Sequence, residues 1–549
     1  MMNMAGVTDT EVQNNGISMI GDSVSAKWFG DKGALSFDTA GIKSVLSKVG
    51  QQCFIVRDAN GTIGVASKLG TDDPSRLSSM ELLATVPAFL PGQLGDPAFK
   101  KAYGLEYNYM TGAMANGIGS ARLVIAMAQA GMLGSFGAAG MVLKRVEEGI
   151  DTIQKAVGDK PFSVNLIHSP NEEALERNAV ELFLKKGVTI VETSAFMDLS
   201  AHVVRYRASG LTKDADGKVH IKNRIIAKLS RTELAEKFMQ PAPGALLDQL
   251  VAEGKLTVDE AACALKIPMA DDITVEADSG GHTDRRSLVC LLPAIIALRN
   301  ELQATHQFSE EVRVGAAGGL GTPESLFAAF MIGAAYVVTG SINQSCIESG
   351  SSDPVRKVLA EADMVDVMMT PAADMFELGV KLQVLKKGSL FGMRAQKLYD
   401  LYEEYEGLEQ IPKDEIAKLE KTMFRDSLDN IWKGCVDFFN ERDPDQIKRA
   451  QDNPKRKMAL VFRWYLGLSS AWANAGEKGR ELDYQIWCGP SMGAFNNWAK
   501  GTSLEKWQNR KVADVASHLL TGTAHLFRIQ SLEMSGIRMR SDYKHYSVI

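Results

Sequence analysis

The turn Glu276-Ala277-Asp278-Ser279-Gly280-Gly281-His282 ends on an imidazole, the side chain that donates, accepts and passes on protons near neutral pH. Farther along, Val314-Gly315-Ala316-Ala317 runs into Gly318-Gly319-Leu320-Gly321, and Val337-Val338-Thr339 runs into Gly340-Ser341. A short apolar strand that breaks into glycine leaves backbone amides free to hold a phosphate. Thr322-Pro323 adds a capping hydroxyl and a proline preset for a first helical turn. Two such cradles in successive units match the paired phosphate site that barrels build after their seventh and eighth strands. The plainer alternative is that these glycines only make tight turns.

On the first reading His282 stands at the barrel mouth beside whatever lies above the phosphate, as hydrogen-bond donor, general acid or both. Lys228, near the end of a fifth strand, points into the same mouth, where a cation offsets negative charge on a reduced flavin; a snorkelling surface lysine is the alternative. Asn165 near the end of a third strand and Met114-Ala115 after a first suit amide and backbone contacts to a planar ring. The layout predicts an enzyme that holds flavin mononucleotide. Arg285 or Arg286 is placed to meet cofactor phosphates, with a surface arginine as the alternative for each.

These residues need a scaffold that delivers successive strand ends to one face. From about residue 107 short β-rich runs alternate with helical patterns, at 107–112, 133–138, 162–166, 188–193, 224–229, 272–277, 312–317 and 335–339. Eight parallel βα units predict an α/β fold, a (β/α)8 TIM barrel, over 101–375. A Rossmann sheet would need Gly-x-Gly-x-x-Gly after its first strand, and Gly117-x-Gly119 lacks the third glycine. Residues 1–100 read as a small N-terminal β or α+β module and connector, with a hairpin turn at Asn60-Gly61 and prolines at 87, 91 and 97. Residues 231–270 are longer than one barrel helix requires and read as a helical insertion or lid around Pro241-Ala242-Pro243-Gly244. From about 375 the pattern turns helical, and 376–549 reads as a C-terminal helical subdomain carrying six of the seven Trp, most simply a second core.

A net charge of -6 with no arginine-rich arm gives no attraction to nucleic acid. The six cysteines, at 53, 263, 290, 346, 435 and 488, have no zinc or dithiol spacing and read as reduced core thiols of a cytoplasmic protein, with no metal site. Residues 1–16 lack the pattern of a secretory signal. The uncharged stretch 123–143 has the length of a membrane span, but its glycines at 131, 134, 137 and 140 divide it into helix, turn and buried strand, so no span is expected.

Asn108-Tyr109-Met110-Thr111-Gly112-Ala113-Met114-Ala115-Asn116-Gly117-Ile118, Val164-Asn165-Leu166 and the turns already quoted resemble the flavin barrel of nitronate monooxygenases and flavin-type enoyl-acyl carrier protein reductases. Thr370-Pro371-Ala372-Ala373-Asp374-Met375-Phe376-Glu377, Leu385-Lys386-Lys387-Gly388-Ser389-Leu390-Phe391-Gly392-Met393-Arg394-Ala395 and Cys488-Gly489-Pro490-Ser491-Met492-Gly493-Ala494-Phe495-Asn496 resemble the PfaD family more particularly. These are the stand-alone enoyl reductases of bacterial polyunsaturated fatty acid and polyketide synthases. The resemblance runs from about residue 35 to 535.

It implies hydride transfer from NADPH through FMN to the β-carbon of an enoyl thioester on an acyl carrier protein, with NADPH and the acyl chain using the same flavin face in turn. By residue matching, His282 orients the substrate or protonates the α-carbon. Asn165, Lys228, Ser279, Gly318, Gly319, Gly340 and Ser341 hold FMN, and Met114, Ala115, Gly280 and Gly281 complete the cofactor-binding set. Asp278-Ser279 stands where simpler relatives often have Glu-Ala, and Thr283-Asp284-Arg285 replaces a shorter turn. The implied partners are carrier protein domains of a multidomain synthase and a second copy in a homodimer. Lys500, Lys506, Arg510 and Lys511 offer a basic docking cluster, with a solvated helix face as the alternative. Competing readings are a nitronate-oxidising flavoenzyme and a non-catalytic component that binds carrier proteins.

Overall fold

The computed structural model describes residues 17–19, 26–70, 72–168, 173–546 and 548. The residues read for a secretory signal lie outside this set. Eight strands, β1 (Tyr109–Thr111), β2 (Leu133–Phe136), β3 (Ser163–Ile167), β4 (Ile190–Ser194), β5 (Arg224–Leu229), β6 (Asp272–Glu276), β7 (Arg313–Ala317) and β8 (Val337–Thr339), close into a barrel. Each pairs in parallel with its neighbour in sequence, and β8 pairs back to β1, so the expected TIM barrel is present. Alternation along the strands sends Met110, Leu133, Ile190, Ile226, Tyr336 and Val338 into one buried core. The N-terminal end is plugged by charge. Arg313 meets both carboxylate oxygens of Asp272 at 2.6 and 2.8 Å, the Tyr103 hydroxyl donates to Asp272, and Arg207 and Arg224 meet Asp271. Such a sealed lower end leaves ligands the opposite mouth.

Residues 123–143 fold as anticipated within the barrel: helix Ala121–Gln129, a turn through Gly131 at φ +72°, and β2. Among the described residues one helix, Leu288–His306, is long and apolar enough to cross a bilayer; it follows β6 and packs on β6 and β7 as a barrel helix. Cys290 on this helix is exposed, which departs from the reading of all six cysteines as core thiols; the other five are buried.

The chain forms two compact units whose limits are not linear in sequence. The first unites residues 1–94, 323–328 and 515–549. It holds a five-stranded antiparallel sheet, including the hairpin Cys53–Arg57 and Ile63–Ala66 turned at Gly61 with φ +84°. Strand Ile17–Met19 pairs with Ile537–Met539, and the buried Arg528 guanidinium donates to backbone oxygens of Leu46, Lys48, Val49, Gln51 and Pro87. Residues 515–549 therefore group with the N-terminal module, whereas sequence order had set them with the helical subdomain.

The second unit spans 95–322 and 329–514. Its insertion consists of helices Thr232–Met239, Gly244–Ala252 and Val258–Ala264, broken at the expected prolines. The last two pack on helix Ala201–Ala208 and the first on Leu288–His306, so the insertion lines the barrel flank and is no lid. Past the barrel, Trp432, Trp464, Trp472 and Trp487 pack on a core formed by Phe376, Phe391, Phe424, Phe462 and Tyr465, the second core expected from the aromatic content. One element departs from the helical reading of this region. Strand Lys381–Leu385 lies between Val367–Pro371 and the two-residue strand Gly281–His282, antiparallel to both.

Candidate active site

The turn after β6 is held on two sides. Gly281 pairs with Gln383 and His282 with Leu382. The Gln383 amide, 3% exposed, donates to Asp278 Oδ1 at 3.1 Å and to the Ser279 backbone oxygen at 2.8 Å. On the other side the backbone of Cys488-Gly489 lies against Gly280, where an added β-carbon would come within 2.8 Å of the Cys488 nitrogen. Gly281 adopts φ +81°, which glycine takes at no steric cost. Burial pushes the Cys488 thiol up to about 12, so this cysteine packs and is no nucleophile.

His282 projects from this clamp with its side chain 42% exposed, and its Nε2 stands 3.1 Å from Asp374 Oδ1. Desolvation draws the imidazole pKa down, but the hydrogen bond and charge of Asp374, with help from Glu276 and against Lys228, carry it above its ordinary value. Asp374 moves the opposite way, below the usual carboxylate range: desolvation works upward and His282 outweighs it.

The two glycine turns quoted from the sequence lie after β7 and β8. Gly318, at φ +83°, would place a β-carbon 2.6 Å from the Ala277 carbonyl carbon, so only glycine lets the two turns approach. Gly319 and Gly340 have no heavy atom within 4 Å of an added β-carbon; both face open space. Ser341 Oγ accepts from the Gly489 N–H at 3.0 Å and keeps its own hydrogen to donate. A β-carbon on Gly321 would meet the Ser491 oxygen at 2.7 Å, and the Gln344 amide donates to the Trp487 oxygen. Residues 487–491 thus back the turns after β6, β7 and β8 together.

Inside the barrel, Lys228 Nζ donates to Glu276 Oε1 at 2.8 Å. Desolvation favours its neutral form, yet Glu276 and Glu192 hold its pKa above the ordinary lysine value. Glu192 is fully buried. Its Oε2 accepts the Ala113 N–H at 2.7 Å and its Oε1 has no partner among the described residues. Met114 and Ala115 follow directly, and the Met114 oxygen accepts the Gly119 N–H. Asn165 gives both amide hydrogens to the barrel, to the Glu192 backbone oxygen and to Ser194 Oγ, leaving only its carbonyl oxygen for a ligand. Met114-Ala115 and the Ser279–His282 turn follow β1 and β6, whereas Lys228 lies one residue before the end of β5 and Asn165 at the middle of β3.

Arg285 is exposed, the Arg286 oxygen accepts the Asp278 N–H, and neither arginine makes a described side-chain hydrogen bond. Arg510 departs from its reading as a docking charge. It is 1% exposed, donating to the Leu504 oxygen, Ser345 Oγ and Asn496 Oδ1 and stacked over Phe495, so it is a structural cation. Sequence reasoning passed over Asp374, Gln383 and Glu192 as site residues. Only Glu192 carried a local signal, a carboxylate set in the apolar run Ile190-Val191 and Thr193.

Comparison with known proteins adds three family matches. The nitronate monooxygenase profile matches residues 99–399, the N-terminal domain of fatty acid synthase subunit PfaD matches 28–88, and the inserted helical domain of [acyl-carrier-protein] S-malonyltransferase matches 405–484. The chain is 52% identical over 448 residues to a polyunsaturated fatty acid synthase component of Thraustochytrium sp., covering 80% of this chain and 30% of that protein. It is 45% identical to polyketide biosynthesis protein PksE of Bacillus subtilis, covering 80% of this chain and 57% of that one. It thus spans under a third of the synthase component and just over half of PksE. Among solved structures, the enoyl reductase domain of MlnA from the macrolactin biosynthesis cluster of Bacillus amyloliquefaciens superposes with a TM-score of 0.77 at 39% identity. That match covers 81% of this chain and 99% of the domain.

Proposed function

Because the chain belongs to the PfaD family, with a barrel of the nitronate monooxygenase type, we propose that it is a trans-acting enoyl-[acyl carrier protein] reductase of polyunsaturated fatty acid or polyketide biosynthesis. FMN is its resident cofactor on this reading, and NADPH its hydride donor. One observation carries the proposal: open glycine turns after β7 and β8, a histidine paired with Asp374 on the turn after β6 and a largely buried lysine near the end of β5 belong to one barrel. The residues present fit a flavin phosphate. A β-carbon on Gly319 or Gly340 would enter the space that such a group needs, and Ser341 has a hydrogen to give.

Gly319, Gly340 and Ser341 would hold the phosphate, Lys228 would stand as the cation for the ring's negative side, and Asn165 would offer its carbonyl oxygen. Glu192 fixes the Ala113 N–H and with it the start of the Met114-Ala115 segment. The chemistry that bound FMN supplies is two-electron transfer, hydride in from NADPH and hydride out to the β-carbon of the enoyl thioester. His282 supplies either a hydrogen bond to the thioester oxygen or the proton for the α-carbon; a well-aimed donor at such an oxygen is worth about 100 to 1000-fold in rate. The partners on this reading are acyl carrier protein domains and a second copy of the chain, in the cytoplasm.

The test is anaerobic. NADPH is expected to bleach the purified yellow protein, and an enoyl thioester to restore its colour, more slowly in His282→Ala. Recolouring by oxygen or a nitronate compound but by no enoyl thioester, carrier-bound thioesters included, would replace the reductase by an oxidase.

A further inference from the structure

We propose that Asp374 is a positioning residue for His282, fixing the imidazole with Nε2 on the carboxylate so that Nδ1 is the atom that hands a proton to the substrate. This rests on the reductase reading for the identity of the substrate and on geometry for the rest. Both partners hang from the same three-stranded sheet. His282 is the last residue of one edge strand, and Asp374 follows the other edge strand, Val367–Pro371, by three residues. Residues of the loop next to Asp374 are tied down. The Ala372 N–H bonds the Val380 oxygen at 2.9 Å, and Phe376 is fully buried against the rings of Tyr399, Tyr402 and Phe462. Glu377 Oε1 takes Arg456 at 2.8 Å and Arg463 at 3.3 Å, both from helix Pro454–Ala475.

A half-exposed pair such as this adds little to stability. Its effect lies in orientation, because an imidazole whose Nε2–H is held by a carboxylate presents Nδ1 on its other side. The charged groups around His282 are Asp374 and Glu276, which favour its cation, and Lys228, which opposes it; Arg463 acts in turn on Asp374. As hydride from the reduced cofactor reaches the β-carbon, the π electrons of the double bond move to the α-carbon and form a C–H bond with the Nδ1 proton. The imidazole is left neutral with its Nε2–H still on Asp374, and its exposed edge regains a proton from water.

The full-length FMN-loaded protein, labelled with 15N-histidine and assigned with His282→Gln, tests this without reference to turnover. In the parent protein His282 is expected as the Nε2–H tautomer. In Asp374→Ala the two tautomers are expected to mix and the titration midpoint to fall by about one pH unit. Asp374→Asn should keep the tautomer but lose the charge effect, and Asp374→Glu should restore part of both. In single-turnover reoxidation by an enoyl thioester, the pH profile should move to the acid side by the same amount in Asp374→Ala, while bleaching by NADPH stays within about twofold. An unchanged tautomer and midpoint in Asp374→Ala would overturn the proposal. If both change as stated but no thioester reoxidises even the parent protein, the positioning role stands and the reductase reading falls.

Discussion

The side-chain amide of Gln383 reaches 2.8 Å to the backbone oxygen of Ser279, crossing from a strand beyond the barrel to the turn that carries His282. Its second contact, 3.1 Å to Asp278 Oδ1, makes one buried side chain fasten two successive residues of the turn that carries His282. Gln383→Leu leaves these acceptors without their donor, at an expected cost of about 1–3 kcal/mol. Gln383→Glu, which sets a carboxylate against Asp278, is expected to cost more. Chemical unfolding and the FMN dissociation constant, both measured for each variant, check the order; an FMN affinity unchanged in both would separate this contact from the cofactor site.

Two glycines of the turns after β7 and β8 make a contrasting pair. Gly340, at φ -126° with open space around an added β-carbon, is expected to accept alanine with little change in stability but with FMN affinity lowered by tenfold or more (about 1.4 kcal/mol). Gly318→Ala meets the Ala277 backbone at 2.6 Å and takes a positive φ, so the fold itself is expected to lose about 1–3 kcal/mol. Thermal melts of apo protein, compared with flavin titrations, distinguish the two.

Lys228→Met removes the cation from Glu276, leaving a largely buried carboxylate unpaired, with an expected loss of about 3–5 kcal/mol. The double variant Lys228→Met/Glu276→Gln is expected to regain much of that stability. If Lys228 serves the reduced flavin, the double variant should still show a lower flavin midpoint potential than the parent protein. Denaturant midpoints and anaerobic redox titration measure the two effects separately.

Glu192 gives a pH signature. Burial raises its folded-state pKa, more than Lys228 and the bond from Ala113 lower it. The native state therefore binds the proton more tightly than the unfolded chain, and stability falls as pH rises from the ordinary carboxyl range through the raised value. Glu192→Gln keeps an acceptor for Ala113 and is expected to be more stable than the parent at pH 7, with the advantage shrinking toward pH 4. Urea titrations at several pH values test the sign.

The barrel was legible because each strand is a short apolar run closed by glycine or a polar turn, and because nothing distant is needed to read that alternation. The β6 turn and the glycines after β7 and β8 were legible for the same reason. Asp374, Gln383 and Gly489 were not. They meet their partners across 92, 104 and 148 residues of sequence, and no local pattern records such a meeting. Lys381-Leu382-Gln383-Val384-Leu385 lies at the start of helical sequence, and only its pairing on both sides makes it a strand. Arg510 misled for another reason. Among neighbouring lysines it reads as a solvated charge, yet a planar guanidinium can satisfy its donors on carbonyl oxygens and disappear from the surface.

The pairing of Ile17–Met19 with Ile537–Met539 makes the order of synthesis matter. On the ribosome, the N-terminal sheet emerges long before the residues after 514 that complete its unit. At about 5–20 residues per second, that wait is on the order of tens of seconds. Through it the faces of Ile42, Val45, Ile55 and Val65 remain without Ile529, Leu532 and Tyr543. Until the residues after 514 follow, the sheet therefore carries an uncovered apolar surface, a natural point for a chaperone to act. Removal of residues 515–546 is expected to damage the sheet built from residues 26–86 as much as the segment removed.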